Sequence, residues 1–181
     1  CLYTEFFFDN HTDLTCLKSM KTNSFKKTCK KYMKIHYINL WQKQKTLLSD
    51  GKLCTYFKFK QNFGFENYLN IIKDFGQRRI FTRFRISAHR LQIELGRYQG
   101  IIRQNRLCIH CSSGEVEDEN HFLLTCTKYK GERYDLINAI CLKCPNFTQL
   151  QNPEKFIWMM SNEDHEVLCE ICCLIAKHEH T

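Results

Sequence analysis

Four residues with metal-ligating side chains fall within nineteen positions: Cys108, Cys111, His121 and Cys126. Their spacing, C-x2-C-x9-H-x4-C, offers three thiolates and one imidazole, the donor set of a closed tetrahedral zinc site. With no position left for water, such an ion is structural rather than catalytic. Cys-x-x-Cys alone carries little weight. With 12 Cys in 181 residues, chance expects about 0.8 such pairs, and the chain holds three. Cys141/Cys144 and Cys169/Cys172 lie on the apolar sides of helical patterns and read as core packing, against the alternative of a second metal shared between them. The first pair is set apart by its surroundings. Ser112, Ser113 and Gly114 supply a turn after Cys111, and Glu117 or Asp118 can cap a helix starting near Glu119. His121 then falls in that helix's first turn, and Cys126 at its end. The competing reading is buried cysteines without metal. His110 is expected to point outward, and His178 and His180 to be frayed surface residues.

Several elements must position this cluster. The run "QRRIFTRFRISAHRLQIEL" reads as one amphipathic helix, with Ile80, Phe81, Phe84, Ala88, Leu91 and Leu95 within one arc of about 100°. Arg79, Arg83 and Arg90 share a second arc with Glu94, and Arg78, Arg85 and His89 a third, so guanidinium groups are expected on two exposed faces, with Gly96 as C-cap. A solvated surface helix is the plain alternative. Upstream, "NSFKKTCKKYMKIHYINLWQKQKTLL" has no Gly or Pro and predicts a lysine-rich helix capped by Asn23 or Ser24. "LCTYFKFKQNFGF" is expected to be locally extended, and "ENYLNIIKDF" a short helix ending at Gly76. Downstream, "KYKGERYDLINAICLKC" is helical in pattern, with Tyr134, Ile137, Ile140, Cys141 and Cys144 on one side and Pro145 ending it. "PEKFIWMMS", with Pro153 near its first turn, and "EDHEVLCEICCLIAKHEH" give two more helices. The expected fold is mainly α, a small helical domain with an embedded CCHC zinc knuckle. Its parts are an irregular remnant of upstream sequence (1–22), a basic helical segment (23–106), the knuckle (107–129) and acidic C-terminal helices (130–181).

Charge sharpens that division. The net charge is +8. Residues 17–60 carry twelve lysines against Asp50 alone, and residues 73–106 carry eight Arg and one Lys against Asp74 and Glu94. Residues 113–181 reverse the balance, with twelve acids against six Lys or Arg. A polyanionic partner suits the first part, a solvated basic surface being the alternative. Hydrophobic residues at 43%, with only 7 Gly and 2 Pro, argue against disorder over most of the length. No run of eighteen apolar residues is present, so no membrane span is expected. The chain starts at Cys1 without the build of a signal peptide and reads as a fragment of an intracellular protein, nuclear or cytoplasmic, with reduced thiols.

The stretch "FGFENYLNIIKDFGQRRIFTRFRISAHRLQIELGRYQGIIRQNRLCIHCSSGEVEDENHFLLTCTKYKGERYDLI" resembles the region after the polymerase domain in non-LTR (LINE-like) retrotransposon reverse transcriptases. In that family a segment of the form "TRFRxSxHxLxIExGR" precedes "RxCxxC", "VEDExHFLxxC" and a tyrosine. The matching residues here are Thr82 to Arg85, Ser87, His89, Leu91, Ile93, Glu94, Gly96, Arg97, Arg106, Cys108, Cys111, Val116 to Glu119, His121 to Leu123, Cys126 and Tyr129. The likeness covers about residues 60–140, weakens over 141–175 and is absent from 1–35. It implies a zinc-binding, nucleic-acid-binding module with Cys108, Cys111, His121 and Cys126 as Zn2+ ligands, holding template RNA or target DNA for upstream reverse transcriptase domains. By electrostatic extension, Arg79, Arg83, Arg85, Arg90, Arg97, Arg103 and Arg106 are expected to face the nucleic acid; Tyr98 could stack on an unpaired base, a half-buried tyrosine being the more usual case. The chain departs from the parent enzymes in lacking the paired aspartates of a polymerase and a restriction-like nuclease signature, so it is not expected to be an enzyme itself. The alternative is a zinc-stabilised structural or protein-interaction fragment, or a degenerate retroelement relic.

Overall fold

The computed structural model describes residues 21–47 and 51–179; residues 1–20 of the irregular remnant expected over 1–22, and His180, lie outside the described residues, and Thr22 already belongs to a helix. The fold is mainly α. The chain divides into two compact units, residues 1–47 and 48–181, so the basic segment 23–106 is shared between them. In the first, helix α1 (Thr22–Leu47) carries seven lysines and no acid. No helix is long and apolar enough to cross a membrane among the described residues.

The second unit opens with two single helical turns, α2 (Tyr56–Phe59) and α3 (Tyr68–Ile71). The aromatic segment around α2 is therefore turned rather than extended, and Phe57 and Phe59 are both buried in it. Phe59 meets Phe156 edge-on at 6.1 Å. Gly76 does not end a helix. It lies in the first turn of α4 (Phe75–Arg85), whose N-cap Asp74 accepts the Gln77 N–H at 2.7 Å.

The single long helix expected over the arginine-rich run is broken. After α4 the chain turns at Ser87 (φ 53°), and α5 (Gln92–Tyr98) begins separately. Ala88 N–H bonds to Arg83 O at 2.7 Å and Ser87 N–H to Phe84 O at 3.2 Å. These are the two bonds of a Schellman ending, with serine where glycine is usual. Gly96 lies inside α5 rather than capping it, and Gly100 (φ 71°) follows the helix end. A Cβ on Gly96 would come within 2.6 Å of Arg106 Cγ, so only glycine lets that side chain cross.

Beyond a loop containing the antiparallel bridge Leu107 to Val116 come α6 (Lys130–Lys143), α7 (Asn152–Ser161) and α8 (His165–Glu179). Asp164 caps α8 by accepting from Glu166 and Val167 N–H at 3.0 and 3.2 Å. Val167, Leu168, Ile171, Cys172 and Ile175 repeat at helical spacing and bury α8 against α4 and α6. The buried face of α6 is Arg133, Leu136 and Ile140; Tyr134, expected inside, is exposed because it lies off that stripe. Cys144 packs against the core and Cys172 is within it, whereas Cys173 is exposed.

Candidate metal centre

The loop from Leu107 to Val116 reverses direction over Ser112, Ser113 and Gly114, with Gly114 at φ 70°. Cys108 N–H bonds to Glu115 O at 2.9 Å, which brings the two arms together. Asp118 then caps the next turn, its carboxylate accepting from His121 N–H at 2.9 Å. His121–Thr125 winds as a wide π turn rather than a regular helix. Its looser pitch carries Cys126 back beneath His121, with Cys126 N–H on His121 O at 2.8 Å.

The result is convergence. One ligand atom each from Cys108, Cys111, His121 and Cys126 lies within 4.8 Å of the others, so the four can hold a metal ion. Cys108 Sγ is 3.8 Å from Cys126 Sγ, and Cys111 Sγ is 3.4 Å from His121 Nε2. Cys108, His121 and Cys126 are buried and Cys111 is half-buried. Burial pushes the Cys108 and Cys126 thiols up, whereas the Ser113 hydroxyl beside Cys111 draws its thiol down to about 6. On the far side of the imidazole, Nδ1 is 2.7 Å from Glu115 Oε2 and 2.9 Å from Thr125 Oγ1. The hydrogen bond to His121 holds the Glu115 carboxyl below its ordinary range. Such a partner assigns the proton to Nδ1 and leaves the Nε2 lone pair for an ion. No protein-family model, no curated protein and no solved structure matches this chain.

A buried frame holds the centre. Arg133 donates from Nε to Leu123 O at 2.7 Å and from Nη2 to Phe122 O and Cys126 O at 3.0 and 2.8 Å, satisfying carbonyls that the π turn leaves without helical partners. Glu117 accepts from Gln92 N–H at 2.9 Å, at the start of α5. Glu119, 1% exposed, accepts from Ser87 Oγ at 2.6 Å and Thr55 Oγ1 at 3.1 Å and pairs with His89 Nε2 at 2.9 Å. Burial alone would raise its carboxyl, yet His89 and Ser87 hold it down to about 2. Sequence reading missed Glu115, Thr125 and Arg133. Ser87, His89, Glu117 and Glu119 did carry a signal, since all four stand in the retrotransposon-like pattern, but it gave them no role.

The seven arginines expected on a nucleic-acid face divide. Arg79 and Arg90 are exposed. Arg85 is a correction: it is 5% exposed, donates to Met160 O and Glu66, and lies over the Phe59 ring at 4.4 Å. Arg83 Nε donates to Ala88 O at 3.1 Å, closing the Schellman turn. Arg106 turns inward as well, onto Ile101 O and Ile93 O at 2.9 and 2.8 Å. Arg97 pairs with Glu94 at 2.8 Å and lies over Tyr98, which is exposed. Arg103 stands between Cys54 Sγ and Asp118. His110 and His178 need correcting too. His110 is half-buried, and His178 packs edge-on against Phe122 at 5.3 Å because α8 extends across the loop.

Proposed function

We propose that the chain is a zinc-stabilised, nucleic-acid-binding C-terminal module of a retrotransposon reverse transcriptase, non-catalytic in itself, which holds template RNA or target DNA within an intracellular ribonucleoprotein. The observation that carries this reading is the convergence of three thiolates and one imidazole in the loop that follows the arginine-rich helices. Zinc fits the donor set. Sulfurs at about 2.3 Å and nitrogen at about 2.0 Å from a tetrahedral ion stand roughly 3.8 Å (S to S) and 3.5 Å (S to N) apart, close to the 3.8 and 3.4 Å found. Burial opposes ionisation of Cys108 and Cys126, and a dication reverses that preference. The ion would contribute folding free energy to a loop with little core of its own.

Exposed Arg79 and Arg90, and Tyr98 beside Arg97, supply charge and a stacking surface for an unpaired strand. Titrating the protein into labelled single-stranded RNA at rising salt checks this: affinity is expected to fall linearly on logarithmic axes. Binding that is absent at low salt, or indifferent to salt, refutes it. A protein-contact role for the same module is favoured by one observation, that Arg85, Arg97 and Arg106 bond internally. Under that reading the pair Arg79→Glu and Arg90→Glu leaves RNA binding unaltered.

A further inference from the structure

We propose that His110, Glu117 and His178 form a second metal-binding site, distinct from the cysteine-rich set, which takes a divalent transition ion of the zinc class and fastens the last turn of α8 to the metal loop. One ligand atom from each of the three lies within 4.8 Å of the others, and none is a member of the first set. They come from three places in the chain: the tip of the loop, the arm after the bridge, and the end of α8.

The chemistry of the trio points the same way. Glu117 is 2% exposed, and a carboxylate so buried needs compensation. Its Oε2 is satisfied by Gln92 N–H at 2.9 Å. Its Oε1 accepts from the Cys108 thiol at 3.4 Å, a proton lost if Cys108 binds an ion as thiolate, and faces His110 Nε2 at 3.7 Å. A gap of 3.7 Å is beyond a good hydrogen bond. It is close to the spacing of two donors held by one ion, since oxygen and nitrogen each about 2.0–2.2 Å from a tetrahedral metal stand roughly 3.3–3.6 Å apart. The His110 and His178 rings stand nearly perpendicular, 5.9 Å between centroids at 84°, while each keeps a ring nitrogen within 4.8 Å of the other's and of a Glu117 oxygen. Phe122 and Tyr129 back the His178 ring at 5.3 and 6.1 Å and fix its plane. Two imidazoles and one carboxylate favour borderline ions such as Zn2+, Co2+ or Ni2+; Ca2+ and Mg2+ ask for more oxygens. Three protein ligands leave a position that water fills.

Cobalt titration of the metal-stripped, reduced, tag-free full chain tests the site, because thiolate ligation gives intense charge-transfer absorption and nitrogen–oxygen ligation does not. The wild type is expected to take up two equivalents, the first raising the thiolate band and the second adding only weak visible bands. His178→Ala and His110→Ala are each expected to stop at one equivalent with the thiolate band intact, which also shows that the metal loop still folds. Saturation of the wild type at one equivalent overturns the proposal, protonated imidazoles then serving as the partners of Glu117. Two equivalents retained in both variants overturns it by placing the second ion elsewhere. Loss of the thiolate band together with the second equivalent in both variants overturns the separateness of the two sites.

Discussion

Glu115 has a side chain 57% exposed, yet its carboxylate lies 2.7 Å from His121 Nδ1, on the side of the ring away from the thiols. Water screens the pair, so its worth is orientation rather than stability. With Thr125 Oγ1 at 2.9 Å on the same nitrogen, the imidazole is fixed with Nε2 toward Cys111 Sγ. Glu115→Ala is therefore expected to weaken metal binding by about 10–100-fold while leaving helix content unchanged. Competition against a chelator of known affinity measures this, and an unchanged affinity would show that the ring needs no such guide. The four convergent residues were legible in the sequence because thiols and an imidazole at knuckle spacing are rare in combination. Glu115 and Thr125 were not, since a side chain that reaches across a turn leaves no periodic trace. The arginines failed for a related reason. A guanidinium has the same place in a helical pattern whether it meets water, as Arg79 does, or turns inward to a carbonyl, as Arg85 does.

At the scale of elements, the break between α4 and α5 decides where the metal loop can sit. Hydrophobic periodicity continues through residues 80–95, which is why one helix was expected; Ser87 gives none of the warning a glycine would. The left-handed serine costs on the order of 1–2 kcal/mol, and its hydroxyl bond to Glu119 offsets part of that. Glu119 thereby joins the break, the Thr55 turn and the metal loop through one buried carboxylate. Its carboxyl is held at about 2, against an ordinary value of 4.5. A depressed carboxyl contributes stability that is fully present above the ordinary value and lost as pH falls toward the folded one. The span corresponds to roughly 3 kcal/mol. Glu119→Gln is expected to lower stability by about 2–3 kcal/mol at pH 7, and the gap from wild type is expected to narrow as pH drops from 4.5 toward 2. Urea melts of both proteins in a chelator, across that range, follow the difference directly. A gap independent of pH would assign the loss to shape rather than charge. The mainly helical class, α1 and the last two helices were legible from their apolar stripes and, in α7, from Pro153 in the first turn, although α1 starts at Thr22, ahead of the Asn23 or Ser24 expected to cap it. The α2 turn was not, because Phe57 and Phe59 stand two residues apart, which is the spacing of one face of a strand, and a single helical turn is too short to show a period of its own.

Across the whole molecule, positive charge is concentrated in residues 17–60 and 73–106, but the structure distinguishes the two stretches. In the second, Arg78, Arg83, Arg85 and Arg106 donate to backbone carbonyls, Arg97 pairs with Glu94 and Arg103 with Asp118, which leaves Lys73, Arg79 and Arg90 as exposed cations of that run. In the first, α1 exposes Lys26, Lys27, Lys30, Lys31 and Lys34, with no acid in the helix to neutralise them. Charge that is not already paired is what displaces counterions from a phosphate backbone, at about 0.7 in the logarithmic salt slope for each contact with a single strand. If the chain binds nucleic acid as proposed, changing Lys26, Lys27, Lys30 and Lys31 to Gln is expected to reduce that slope by up to about 3. Changing Arg79 and Arg90 to Gln is expected to reduce it by about 1.4. Glutamine keeps the length and helix propensity of lysine, so circular dichroism should report intact helices in the first variant. The ordering is the informative result. A larger loss from the arginine pair would place the grip on α4 and the turn after it, and no change from either set would mean that these cations serve only solvation.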